Sequence, residues 1–392
     1  MGPAFSTRAV HPPRPTPQEG EPLSPGLDLS TTYSFSDIDA FAQASEHKVG
    51  AGYVYGRWAN PTVDAFEAAV AELEGAELAE AFASGMAAIS AVFLALCRAG
   101  DVVVAARQLY GNTHSLLEDR LPAYGIRAAT FDVADHAGMA SALDGARLLY
   151  CETIGNPSVR VADLDGLGAL AHAAGVPLIV DNTFASPYLC RPLEHGASVV
   201  IHSATKFLGG HYDLLGGVVC ADPGTVDRLR AVGRDFGATL APLNAWLGLR
   251  GLATLPLRVE RSCASALAVA EALRRHPEIE RVYYPALEGD ASKPLADSLL
   301  GGRGGGTLGF DVIGGRERAK GFQGALRLIL PAASLGGHRT LVVHAASVTH
   351  TQLGAAELEA AGISEGFCRL SVGLEDPADL IADLEGALGS TA

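Results

Sequence analysis

The chain has 392 residues, 48% hydrophobic and 19% charged, with a formal net charge of −15. An acidic excess of that size, with no basic stripe, argues against a nucleic-acid or anionic-membrane surface. No apolar run approaches the roughly 20 residues that span a bilayer, and the six cysteines at 97, 151, 190, 220, 263 and 368 contain no Cys-x-x-Cys pair, so they read as core residues of a cytoplasmic protein.

Residues 1–50 carry Pro3, Pro12, Pro13, Pro15, Pro17, Pro22 and Pro25, the composition of an extended arm that contacts a neighbouring subunit. Asn60-Pro61 supplies an N-cap and a proline at the first helical position, and Val63, Phe66, Val70 and Leu73 then keep helical spacing up to Gly75. Short apolar runs follow at Val102–Ala105, Ala128–Val133, Leu148–Glu152, Leu178–Asp181 and Val199–Ser203, separated by helix-length segments such as Asp163–Ala174. That alternation predicts an α/β fold with a mostly parallel sheet, whose ligands sit at the strand carboxyl ends. A long helical stretch from Trp246 to Ala272, interrupted by Pro256, leads out of a large domain at 51–250 into a smaller α/β domain at 251–392. The second domain's strands are expected at Val282–Tyr284, Thr307–Val312 and Phe367–Val372, and its last helix at Pro377–Leu388. Gly301–Gly306 lacks the spacing of a phosphate loop and reads as a flexible loop.

The run Ser198-Val-Val-Ile-His-Ser-Ala-Thr-Lys-Phe207 delivers Ser203, Thr205 and Lys206 together at the end of a strand. A lysine there can form an imine with an aldehyde, and the hydroxyls beside it can hold an anion. Pyridoxal phosphate carries both groups. Asp181, at the end of an upstream strand, could keep a pyridine nitrogen protonated, which makes the ring an electron sink. Ser84, Gly85 and Met86 open a helix after a strand-like segment, where free amide N–H groups suit a phosphate, although glycine at such a turn also has a purely steric explanation. Tyr55 and Arg57 could reach a phosphate or belong to a solvated loop. Tyr110 could stack on an aromatic cofactor and donate a proton, or be a core tyrosine. Asn156 could bond a ring oxygen or be a turn residue before Pro157. Arg369 sits among apolar neighbours and, if buried, needs an anion such as a substrate carboxylate. His195, His202, His211, His344 and His350 show no metal-ligand spacing.

These motifs resemble, in order and over nearly the whole chain, the pyridoxal-phosphate enzymes of cysteine and methionine metabolism. The matching residues are Tyr55-x-Arg57, Asn60-Pro-Thr62, Ala83-Ser-Gly-Met86, Leu109-Tyr-Gly111, Asp181-Asn-Thr-Phe184, His202-Ser-Ala-Thr-Lys-Phe207, Ser334-Leu-Gly-Gly337 and Arg369-Leu-Ser-Val-Gly-Leu-Glu-Asp376. The resemblance implies fold type I, like aspartate aminotransferase, in a homotetramer of active-site-sharing dimers. It also implies that Tyr55 and Arg57 reach the neighbouring subunit's phosphate, and that Gly85, Met86, Ser203 and Thr205 bind the chain's own. Lys206 would be the Schiff-base lysine and proton shuttle, Asp181 the partner of the ring nitrogen and Tyr110 the stacking acid. Ser334 and Arg369 would hold the substrate carboxylate.

Within the family, Ala333 stands where cystathionine-using lyases carry a glutamate, whereas methionine lyases place a cysteine at the position of Asn112 and a lysine at that of Arg234. Those two residues are therefore candidate substrate contacts. The implied activity is γ-elimination of the methionine γ-lyase type. The rivals are cystathionine γ-lyase and γ-replacement by a cystathionine γ-synthase or O-acylhomoserine sulfhydrylase. A non-catalytic regulator would not need to keep Lys206 and Tyr110 together.

Overall fold

A computed structural model describes residues 2–13, 20, 22–45, 52–348, 358 and 362–390. Pro15, Pro17 and His350 lie outside the described residues. In chain order, helices α1 (Phe5–Val10), α2 (Ile38–Ala44) and α3 (Pro61–Glu74) precede strand β1 (Leu78–Phe82), helix α4 (Gly85–Leu96) and strand β2 (Val102–Ala106). Next come α5 (Gly111–Ser115), β3 (Arg127–Phe131), α6 (His136–Ala142), β4 (Leu148–Glu152), α7 (Leu164–Ala174), β5 (Leu178–Asp181), α8 (Ser186–Leu189) and β6 (Val199–Ser203). They are followed by β7 (Gly217–Ala221), α9 (Pro223–Phe236), α10 (Pro242–Leu252) and α11 (Leu255–Arg275). The remaining strands are β8 (Ile279–Tyr283), β9 (Thr307–Val312), β10 (Leu330–Pro331), β11 (Leu341–His344) and β12 (Phe367–Ser371), and a helix at Pro377–Ser390 closes the chain.

The chain forms two compact units, residues 1–97 with 201–254 and residues 98–200 with 255–392. In the first, β1 pairs antiparallel with β7, and β6 lies beside β7. Helix α3 begins where the sequence places it, because Asn60 Oδ1 accepts from the amides of Thr62 at 2.9 Å and Val63 at 3.3 Å, and Pro61 needs no such partner. It ends at Gly75, whose φ of +78° reverses the chain at little steric cost. The second unit holds the parallel strands β3, β2, β4 and β5 and a largely antiparallel sheet ordered β10-β11-β12-β9-β8. Its core includes Phe310 and Phe322, edge to face at 5.8 Å, with Leu370, Leu384 and Leu388. The fold is therefore α/β with a mostly parallel large sheet, as the alternating pattern predicts. Among the described residues no helix is long and apolar enough to cross a membrane, and all six cysteines are buried.

Two local expectations change. Pro256 does not interrupt a helix: the break lies at 253–254, between α10 and α11, and Pro256 occupies the first turn of α11, where its missing N–H costs no hydrogen bond. Strands β7 and β11 were not anticipated, since five and four residues carry too little pattern to separate a strand from an apolar loop.

The first unit contains an acidic cluster lining a cavity of about 580 Å³. Asp64 accepts from the Tyr53 hydroxyl at 2.9 Å, Glu67 accepts from the amide of Ala81 at 2.7 Å, and Glu80 meets Arg230 Nε at 3.1 Å. Burial, then the charges of Glu80 and Asp64, holds Glu67 well above the usual carboxylate range. Burial also raises Glu80 to about 7 against the pull of Arg230. A carboxyl whose pKa is raised on folding retains protons that the unfolded chain releases, so its contribution to stability falls as pH climbs from about 4.5 through about 7. Glu80→Gln keeps an acceptor for Arg230. Denaturant melts should show it matching the wild type near pH 5 and exceeding it by about 1–3 kcal/mol at pH 8; parallel pH profiles would contradict this account of the cluster.

Candidate active site

The residues singled out by sequence fall into two sets, one in each unit. The first unit holds Tyr55, Arg57, Ser84, Gly85, Met86, Ser203, Thr205, Lys206 and Arg234. Here β1 turns into α4, and Ser84 caps the helix by accepting from the amide of Ala87 at 3.1 Å. The first intrahelical bond is Ala88 N to Ser84 O, so the amides of Gly85 and Met86 lie outside the helical ladder at its electropositive end. A Cβ placed on Gly85 would lie 2.8 Å from the Cβ of Ser203 and 2.9 Å from its Oγ. Only glycine lets the helix start approach the end of β6 this closely, and the approach sets two amides beside a hydroxyl.

Past β6 the chain turns tightly. The amide of Lys206 donates to the carbonyl of Ser203 at 3.1 Å, and the carbonyl of Lys206 accepts from Gly210 at 2.8 Å. Thr205 exchanges bonds with the main chain of Gly216: its Oγ1 donates to the carbonyl at 3.2 Å and accepts from the amide at 3.0 Å. Arg57 stacks over the Tyr55 ring with 5.4 Å to its centroid and donates to the carbonyl of Arg234. Arg57 and Arg234 share the wall of the acidic cavity.

The second unit holds Tyr110, Asn112, Asn156, Asp181, Ser334 and Arg369. Glu152 joins several of them. One of its oxygens accepts from the amide of Tyr110 at 2.6 Å, the other from the amide of Asn156 at 3.0 Å. The side chain of Asn156 accepts from Arg369 Nη1 at 2.7 Å, and the carbonyl of Ser334 accepts from Arg369 Nη2 at 3.2 Å. Asn112 Nδ2 donates to the Tyr110 hydroxyl at 3.1 Å. Asp181 ends β5, 8% exposed, and its Oδ1 accepts from the amide of Thr183 at 3.0 Å.

Arg369 is 3% exposed, and its Nε has no hydrogen-bond partner among the described residues. Burial pushes its pKa down to about 10, so the site penalises a charge that its partners do not fully satisfy. Burial, followed by the nearby Asp181, holds the Glu152 carboxyl well above its ordinary range despite the two amides it accepts. The sequence marked Glu152 only as a strand end. Its bridging of Tyr110 to Asn156, 42 and 4 residues away, depends on long-range pairing that local spacing does not encode.

The first unit's donors, paired amides and a hydroxyl with a lysine one turn away, have the chemistry to take a phosphate beside an imine; the second unit's buried carboxylate and buried guanidinium have the chemistry to meet a ring nitrogen and an amino-acid carboxylate. Comparison with known proteins agrees. Residues 6–389 match the model of the Cys/Met metabolism PLP-dependent enzymes.

The chain belongs to this family.

Similar members include the L-methionine gamma-lyase of Pseudomonas putida, 40% identical over 100% of this chain and 98% of that one. Another is the O-acetyl-L-homoserine sulfhydrylase of Leptospira meyeri, 39% identical over 92% and 91%. A Campylobacter jejuni protein crystallised with a pyridoxyl-lysine phosphate superposes with a TM-score of 0.93 and 32% identity, covering 98% of this chain and 99% of that one. The family assigns the chain to the pyridoxal-phosphate-dependent enzymes that act on small sulfur amino acids, with the type I fold predicted from its motifs.

A methyl group on Gly85 must displace either α4 or Ser203. Gly85→Ala should therefore cost about 1–3 kcal/mol of cofactor binding, roughly fivefold or more in affinity. Titrating the apoprotein with pyridoxal phosphate measures this directly; unchanged affinity would show that the close approach is not part of the cofactor site.

Proposed function

We propose that the protein is a γ-lyase of the methionine γ-lyase type, converting L-methionine and water into 2-oxobutanoate, ammonia and methanethiol. The observation that carries the reading is the buried Arg369 with its unpartnered Nε, tied through Asn156 and Glu152 to the backbone of Tyr110. This wiring fixes a receptor for an α-carboxylate relative to an acid that can serve the far end of a short amino acid. Full-length similarity to methionine γ-lyases supports it, as does the small apolar Ala333 beside Ser334.

When bound, pyridoxal phosphate supplies the electron sink that makes the amino acid's Cα–H acidic. Lys206 would hold the cofactor through its amine and would serve as the base that takes the Cα proton and then a Cβ proton. Asp181 keeps the ring nitrogen protonated. The Oδ1 of Asn156 is occupied by Arg369, which leaves its amide N–H groups for a ring oxygen. Gly85, Met86, Ser84 and Ser203 receive the phosphate, joined by Thr205 as it exchanges its bond to Gly216. Arg369 and the Ser334 segment hold the substrate carboxylate.

Tyr110 would lie against the ring and supply the proton for the departing sulfur. Because its oxygen accepts from Asn112, its own hydrogen is left for the substrate. Asn112 and Arg234 contact the γ-substituent region and set its specificity. Tyr55 and Arg57 complete the phosphate site of a neighbouring subunit in a cytoplasmic homotetramer of dimers. The chain then serves as an arm at 1–50, a cofactor-binding domain at 51–250 and a C-terminal domain at 251–392, consistent with the break between α10 and α11.

The purified enzyme should release methanethiol and 2-oxobutanoate from L-methionine, and Lys206→Ala should lower that rate by at least about a hundredfold. Homocysteine formed from O-acetylhomoserine and sulfide, with no 2-oxobutanoate from methionine, would instead assign it to the sulfhydrylases.

A further inference from the structure

His202 lies in the lysine motif but faces away from the cofactor residues. Successive strand residues point to opposite sides, so the strand that presents Ser203 to Gly85 presents His202 to the other face. There His202 Nε2 meets Glu74 Oε2, at the last turn of α3, at 2.8 Å. The two side chains are 1% and 0% exposed, and among the described residues His202 Nδ1 and Glu74 Oε1 have no hydrogen-bond partner. Cys220 on β7 has its thiol pushed up by burial and by the charges of Glu74 and Glu67. For stability alone this is a poor choice, since two apolar side chains of similar volume would avoid desolvating both groups. What a directional bond provides, and apolar contact does not, is a fixed distance.

That distance matters because the opposite face has no slack. Gly85 already sits against Ser203 without room for a methyl group. A displacement of β6 by a few tenths of an ångström would open or jam the cradle of Gly85, Met86 and Ser203, and would carry Lys206 with it. We propose that Glu74 and His202 are positioning residues for cofactor binding: the buried pair pins the end of β6 from α3, so that the strand meets the start of α4 at the separation the phosphate requires. The inference rests on the assignment of that cradle to pyridoxal phosphate.

The test uses full-length apoprotein and pyridoxal phosphate, reading the dissociation constant and the visible maximum of the bound cofactor alongside a thermal melt without cofactor. The double variant Glu74→Leu/His202→Leu should melt close to the wild type yet bind at least about tenfold more weakly, with a displaced absorbance maximum. His202→Gln, which can still donate to Glu74, should recover most of the affinity. A folded double variant with wild-type affinity and spectrum would overturn the proposal. Should the double variant not fold, His202→Phe, which fills the ring's volume but cannot donate to Glu74, decides: weakening by about threefold or more supports the pair's role, and unchanged binding overturns it. A wild type that binds no pyridoxal phosphate would refute the cofactor assignment instead.

Discussion

The separation between the first turn of α4 and the end of β6 leaves no room for a side chain at Gly85. Gly85 and Ser203 approach to a distance at which a single added carbon would collide. In exchange, two amides outside the helical ladder and one hydroxyl are placed side by side, one turn before Lys206. Helix capping by Ser84, the turn fixed between Thr205 and Gly216, and the buried pair behind β6 all serve to hold that geometry. Anion binding at a helix start is inexpensive when the amides are already free; the greater difficulty is keeping a strand close enough to share the anion.

The second unit solves a different electrostatic problem. A guanidinium buried to 3% exposure needs partners, and Arg369 has a carboxamide, a carbonyl and one unsatisfied N–H. Incomplete satisfaction is costly to the resting fold, but it leaves a charge poised for a ligand carboxylate. Glu152 orders the surrounding chain by accepting two backbone amides, so Tyr110 and Asn156 are placed by one side chain. The bond from Asn112 to the Tyr110 hydroxyl is a departure from the cysteine expected at that position in methionine lyases, and it gives the tyrosine a neutral donor in place of a thiol.

Much of this was legible in the sequence because it is encoded locally. Asn60-Pro61 and Gly75 delimit α3, and the apolar run into Ser203-Ala-Thr-Lys206 marks a strand that ends three residues before Lys206. Pairing the cysteine and methionine enzyme motifs in order identified the family. What the sequence did not reveal is long-range. The bonds of Glu152 to Tyr110, of His202 to Glu74 and of Thr205 to Gly216 join segments whose local patterns say nothing of one another. His202 read as an incidental histidine because burial, not spacing, is what gives it a role. Pro256 misled for the opposite reason, since a proline's effect depends on whether it falls in a helix's first turn or its middle.

The account stands on Lys206 being the cofactor's attachment point, and the chain contains only four lysines, at 48, 206, 293 and 320. Lys293 is engaged by Asp297 at 2.6 Å, and Lys320 lies 78% exposed on its helix. Reducing the cofactor-loaded enzyme with borohydride and mapping the pyridoxyl-modified peptide by mass spectrometry distinguishes them in one experiment. A single modified peptide containing Lys206 is the predicted result; stoichiometric label at any other lysine, with Lys206 unmodified, would contradict it.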